Sequence, residues 1–148
     1  MLTREQATSQ ILEAKQAKGL TFEQLAQTIG RHKVWATSAL LGQQGMSADE
    51  ADKAVKALGL GKDVSLALQQ CPLKGCMDTT VPTDPLIYRF YELIQVYGTT
   101  WKALIHETFG DGIMSAIDFE MDIQKKPDPK GDRVVITMNG KFLPYKKW

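Results

Sequence analysis

The stretch that decides the fold runs from residue 84 to residue 120 and reads DPLIYRFYELIQVYGTTWKALIHETFGDGIMSAIDFE. Asp84 can cap a helix, and Pro85 suits the first position of one. Apolar side chains then recur at helical spacing, at Leu86, Ile87, Phe90, Leu93, Ile94 and Tyr97. This pattern predicts a helix with one buried side.

Glycines divide the rest of the stretch. We expect Gly98 to end the first helix and Thr99 or Thr100 to cap a second one. After the glycines at 110 and 112 the apolar period changes from helical spacing to alternation, at Ile113, Ile117 and Phe119 with Ser115 among them. Alternation of this kind predicts a strand with one buried face.

Three polar side chains in this stretch are candidate site residues. Arg89 and Glu92 are three residues apart, which makes them neighbours on a helix surface. Ser115 is the single hydroxyl of an apolar row, and burying a hydroxyl without a partner costs about 1–3 kcal/mol. Such a pair is most often a surface salt bridge and such a serine is usually structural, so the residues alone do not establish a site.

The same segments resemble the cyanase family, through YRFYE, YGTTWKALIHE, FGDGIMSAIDF and the closing hairpin. The likeness runs from about Val81 to the C-terminus, and the helical first half has the length and order found in cyanases. The resemblance implies that Arg89, Glu92 and Ser115 are catalytic. Arg89 would hold one or both of the small anions cyanate and bicarbonate, Ser115 would donate its hydroxyl, and Glu92 would orient Arg89 or accept or pass a proton.

The resemblance also implies the reaction and the assembly. The expected activity is the bicarbonate-dependent decomposition of cyanate to ammonia and carbon dioxide through carbamate, with no metal or organic cofactor. The expected assembly is a homodecamer of five dimers whose active sites lie between subunits. The expected roles are nitrogen metabolism and detoxification of cyanate.

The fold class predicted for the whole chain is α+β, mainly α. Residues 1–75 should form a repressor-like bundle of five helices, with capping boxes at Thr3, Thr21 and Ser47. The polar segment 71–83 marks the boundary. Residues 76–148 should form a catalytic and dimerisation domain of two helices and three short strands, with a hairpin turn at Asn139–Gly140.

An alternative function comes from the spacing of residues 22–40, which fits a helix-turn-helix. The chain would then be a DNA-binding regulator whose C-terminal half only oligomerises or binds a small anion. However, the third helix offers Thr37 and Ser38, whereas base edges are usually read by Arg, Lys, Asn or Gln. We therefore predict no nucleic-acid partner.

Composition limits which partners, which location and which kinds of metal site are expected. The 148 residues carry 18 basic and 17 acidic side chains, so a polyanionic partner is not expected. No apolar run reaches the ~20 residues of a membrane span, and no apolar signal segment is seen, which predicts a cytoplasmic protein without a membrane partner. Cys71 and Cys76, with His32 and His106 as the only histidines, favour reduced thiols in a linker over a metal site.

Overall fold

The computed structural model describes residues 2–75 and 77–148. Met1 and Cys76 lie outside the described residues, so the predicted start of the second domain and the state of the Cys76 thiol are not described. The chain divides into two compact units, Met1–Cys76 and Met77–Trp148. Each unit is described by itself below.

The described residues of the first unit, 2–75, form a bundle of five helices, as predicted. The helices are α1 (Arg4–Ala17), α2 (Phe22–Ile29), α3 (Lys33–Leu40), α4 (Ala48–Leu58) and α5 (Lys62–Gln69). All three predicted capping boxes are present, because Thr3, Thr21 and Ser47 each exchange hydrogen bonds with the residue three positions later. α2 and α4 end at glycines with left-handed backbone, where a residue with a Cβ would be strained.

The core of this unit is built from small and branched apolar side chains. Ile29, Ala36 and Ala39, which the helix-turn-helix spacing places in the core, are fully buried. The apolar spacing of the first helix also predicts that Leu12 points inward beside Ile11, but Leu12 is 40% exposed, so this prediction is wrong. Successive helix residues differ by ~100° in direction, and the bundle covers only the side of α1 that carries Ala7 and Ile11.

A buried carboxylate ties α4 to the turn between α2 and α3. Glu50 accepts a hydrogen bond from the Ser47 backbone N–H at 2.8 Å and an ion-paired one from Arg31 Nε at 2.5 Å. The Ser47 N–H, together with the Arg31 guanidinium, holds the pKa of the Glu50 carboxyl below its usual value. Folding favours the charged form of the Glu50 carboxyl. Glu50 therefore stabilises the fold above about pH 4.3, and this stabilisation is lost as the pH falls through the lower pKa of the folded state.

We expect Glu50→Ala to lower the free energy of unfolding by about 2 kcal/mol, because it removes a cap and leaves Arg31 without its carboxylate. Asp49→Ala is the matched control, since Asp49 is also in the first turn of α4 but makes only an exposed pair with Lys53. The melting temperature of each variant of the full chain is measured by thermal unfolding at pH 7 and at pH 3.5. The gap between the two variants should shrink at pH 3.5, and equal melting temperatures at pH 7 would contradict the prediction.

The second unit is one long helix followed by a two-stranded antiparallel hairpin. The elements are α6 (Pro85–Phe109), β1 (Gly112–Lys126) and β2 (Arg133–Pro144). The prediction of two helices here is wrong, because α6 continues through Gly98 without a break. A glycine inside a helix costs only about 1 kcal/mol relative to alanine, which is less than the hydrogen bonds that an interruption would forfeit.

The strand prediction also needs correction. Asn139 and Gly140 are not a turn but lie inside β2, paired with Glu120 and Phe119. The chain reverses in residues 127–132, within the segment KKPDPKGD that its two prolines and glycine mark as a loop; the prolines lack the N–H that a ladder needs, and Gly131 has a φ of 123°. The result is two long strands where we expected three short ones.

The apolar surface of this unit is largely open within one chain. No residue of α6 is buried, and Ile117, predicted to face a core, is 97% exposed. The predicted buried side of the helix is therefore absent from the single chain, and in the predicted inward row of the strand Ser115 is buried whereas Ile113 and Ile117 are exposed. Among the described residues, no helix combines the length and the apolar character that crossing a membrane requires.

Candidate functional site

Arg89 and Glu92 form an ion pair on the surface of α6. Arg89 Nη1 donates to Glu92 Oε2 at 2.9 Å, and the two side chains are 64% and 49% exposed. The guanidinium carbon also lies 5.7 Å from the centre of the Tyr88 ring. A guanidinium has five N–H donors, so the bond to Glu92 orients the group and leaves other donors for an oxygen-bearing anion.

Ser115 is one of the few buried polar residues of the chain, at 6% exposure. We predicted that its hydroxyl must have a partner, and the partner is backbone. Ser115 Oγ accepts hydrogen bonds from the N–H groups of Ile117 at 3.1 Å and Asp118 at 2.9 Å. The side chain is therefore fixed by the strand that carries it.

This arrangement comes from an irregularity in β1. Met114 pairs with Phe142 and Phe119 with Gly140, so the four residues from 115 to 118 lie opposite Lys141 alone. The extra residues form a bulge that turns back on the Ser115 side chain. Sequence reasoning missed the bulge, although a glycine inside a strand pattern, here Gly140, is a known signal for one.

Two contacts that join the hairpin to α6 lie at the C-terminal end of the helix. His106 Nε2 donates to the Gly112 carbonyl at 3.1 Å, and the rings of Phe109 and Phe142 stack with centres 5.3 Å apart. Arg89 is 20 residues before Phe109 on the same helix, which corresponds to about 30 Å.

Within the described chain, then, Arg89 and Glu92 are brought together and neither is hydrogen-bonded to Ser115. The three side chains lie in one unit but on separate elements. Their catalytic roles remain predictions.

The residues on which the DNA-binding and metal-site hypotheses rest show fewer features of a functional site. Arg31, at the start of the candidate recognition helix, is held by Glu50 and lies over the Trp35 ring, so it serves the fold. Among residues 2–75 and 77–148 no group of three or more His, Cys, Asp or Glu side chains is placed to hold a metal ion. Cys71 is a free, exposed thiol. We still predict that the protein has no nucleic-acid partner and no cofactor.

Comparison with known proteins covers both halves of the chain. A family model described as the N-terminal part of cyanate hydratase matches residues 4–72, and one described as the cyanate lyase C-terminal domain matches residues 79–147. A cyanate hydratase of Synechocystis sp. is 58% identical over 95% of this chain and 94% of its own length. One from Cupriavidus necator is 55% identical over 99% of this chain and 100% of its own.

A solved structure agrees with the sequence comparisons. The crystal structure of cyanase from T. urticae aligns with a TM-score of 0.83 at 44% identity, covering 94% of this chain and 97% of that one. The likeness thus extends over both units and both family models. The chain belongs to the cyanate hydratase, or cyanase, family of lyases.

Proposed function

We propose that this chain catalyses the bicarbonate-dependent decomposition of cyanate to ammonia and carbon dioxide. Membership of the cyanate hydratase family supports the substrate and the reaction class. The observation that carries the site is the Arg89 guanidinium, oriented by Glu92 and still able to donate to an anion. A cytoplasmic location and a role in nitrogen metabolism and cyanate detoxification complete the proposal.

Arg89 supplies a positive charge and hydrogen-bond donors that can hold the two anionic reactants together. Cyanate and bicarbonate are both anions, so they repel each other and are strongly hydrated. A planar guanidinium binds such oxygens through paired, charge-assisted hydrogen bonds and offsets the charge that accumulates when the anions meet. Most of the acceleration then comes from holding the two reactants in contact and in orientation.

The chemical step balances without an added oxidant or cofactor. A bicarbonate oxygen attacks the cyanate carbon, and the bicarbonate hydroxyl proton moves to the nitrogen of the adduct. With one more proton taken up, the bond between the carboxylate carbon and the bridging oxygen breaks, which releases carbon dioxide and leaves carbamate. Carbamate takes up a second proton and separates into ammonia and another carbon dioxide.

Glu92 and Ser115 have complementary roles in this scheme. Glu92 holds the guanidinium at 2.9 Å and is the carboxylate available to pass the protons that the reaction consumes. Ser115 donates its hydroxyl to cyanate or to the nitrogen of the adduct. No metal or organic cofactor takes part in the proposal.

We further propose that the active protein is a decamer of five dimers with active sites between subunits. The support lies in the large apolar side chains that one chain leaves exposed along α6 and the hairpin, among them Leu86, Ile94, Leu104, Phe109 and Ile117. Large exposed apolar side chains in this number on one unit favour an interaction surface. A site that is not assembled within one chain would be completed by the same association.

Bicarbonate dependence is the direct test of the proposed function. Ammonia release from cyanate should fall to near background when dissolved carbon dioxide and bicarbonate are stripped, and should return when bicarbonate is restored. Enzyme dialysed against a chelator serves as the control and should keep its activity. Undiminished release in stripped buffer would indicate simple hydrolysis and would rule out the two-anion mechanism.

A further inference from the structure

The hydrogen bonds of Ser115 define what its hydroxyl can still do. A serine hydroxyl has one hydrogen to donate and two lone pairs that accept. The N–H groups of Ile117 and Asp118 occupy the accepting side of Ser115 Oγ. The remaining capacity of this buried group is the donation of its own hydrogen.

Gly140 is the residue across the hairpin that makes room for this arrangement. A Cβ built on Gly140 would lie 2.5 Å from the Ser115 carbonyl oxygen and 2.5 Å from Met114 Cγ. Contacts below 3.0 Å are essentially never made by real Cβ atoms, and a backbone oxygen cannot rotate away as a flexible side chain can. Any larger residue at position 140 must therefore push the backbones of residues 140 and 115 apart.

We propose that Gly140 is a positioning residue for catalysis, and that the bulge it permits fixes Ser115 as a hydrogen-bond donor only. The proposal rests on the proposed function, in which Ser115 meets the anionic substrate. Gly140 touches no substrate itself and acts through the backbone at 114 and 115. Next to Ser115, such a site selects a substrate atom that accepts a hydrogen bond.

The chemistry of the reaction fits such a donor. Cyanate has no hydrogen and offers only acceptors, and the nitrogen of the adduct carries growing negative charge. Two N–H donors on the serine oxygen draw electron density from it, and hydrogen bonds in such a chain strengthen one another. Ser115 fixed as an acceptor would instead present a lone pair to an anion, which is repulsive.

The first experiment is a double-mutant cycle in the full chain. Gly140→Ala should lower kcat/KM for cyanate by at least 50-fold while the oligomer forms. Asn139→Ala is the matched control, because Asn139 is exposed and pairs regularly with Glu120, and it should change kcat/KM by less than 3-fold. In a Ser115→Ala background, Gly140→Ala should cost less than a further 3-fold, since the group it positions is already gone.

Two results of this cycle would overturn the proposal. One is Gly140→Ala with near wild-type activity. The other is a full 50-fold loss from Gly140→Ala in the Ser115→Ala background, which would show that Gly140 does not act through Ser115.

A second measurement, which does not depend on the assembly of Gly140→Ala, tests the two hydrogen bonds that make Ser115 a donor. Amide hydrogen exchange at Ile117 and Asp118 should become at least 10-fold faster in Ser115→Ala, because their acceptor is lost. Exchange at Met121, in the regular ladder, should not change. Unchanged exchange at Ile117 and Asp118 would overturn the proposal. This readout needs no turnover, so a wild-type protein inactive on cyanate would refute the proposed function and leave the exchange result interpretable.

Discussion

Arg89→Lys is expected to lower kcat/KM for cyanate by at least 100-fold, while the oligomer and its melting temperature stay close to those of the wild type. A loss of this size corresponds to about 2.7 kcal/mol of transition-state stabilisation. The substitution keeps the positive charge and an ion pair with Glu92 within reach. It removes the planar fork that can hold two oxygens at once and replaces it with a compact point charge.

Arg133→Lys provides the matched control for this expectation. Arg133 is exposed at the start of β2, where it pairs in register with Lys126, and the same chemical change there should leave kcat/KM within 2-fold. Both variants are measured at saturating bicarbonate, so that weakened binding of one anion is not mistaken for lost chemistry. Near wild-type turnover by Arg89→Lys would show that charge alone suffices at this position.

The first unit could be predicted from sequence because its signals are local. A capping box is satisfied within four residues, so Thr21 with Gln24 and Ser47 with Glu50 determine helix starts whatever the rest of the chain does. The same is true of Gly30, whose left-handed backbone ends α2. What sequence could not show was the Arg31–Glu50 pair, because it joins residues that only the folded bundle brings together.

The second unit was predicted less well because its signals compete. Gly98 and Thr99 suggest a helix end, but the continuous helix keeps its hydrogen bonds at a small propensity cost. Asn139–Gly140 suggests a second hairpin turn, but Gly140 lies inside β2 and makes a close approach to Ser115, while the proline-rich loop is where the chain reverses. A glycine pattern alone does not say whether the residue serves a turn or a close contact.

The candidate site, too, could be predicted from the sequence only in part. The Arg89–Glu92 pair follows from helical spacing and is present at 2.9 Å. The need of Ser115 for a partner followed from the cost of burying a hydroxyl, but the partners are amides of a bulge that no periodic pattern reveals. The apolar faces were predicted as buried because amphipathic patterns do not distinguish a core from an interface, and within one chain they are open.

The proposed division of the site between chains leads to the last expectation, which is the recovery of activity from two inactive proteins. Arg89→Ala and Ser115→Ala should each form oligomers with little activity. When equal amounts are unfolded together and refolded, chains should mix in the symmetric assembly. A site that takes Arg89 from one chain and Ser115 from another is then intact in about a quarter of cases, one half multiplied by one half.

The recovered activity should therefore approach a quarter of the wild-type value, far above either parent. The control is the same mixture made from oligomers that are not unfolded, which should stay inactive because no chains exchange. The presence of both variants in one assembly is checked by giving them different mass labels. If mixed assemblies prove as inactive as their parents, Arg89 and Ser115 act within a single chain, and α6 and the hairpin must then meet far from the C-terminal contacts of His106 and Phe109. If activity returns, those contacts instead hold the hairpin away from its own Arg89 and present Ser115 to the Arg89 of a neighbouring subunit.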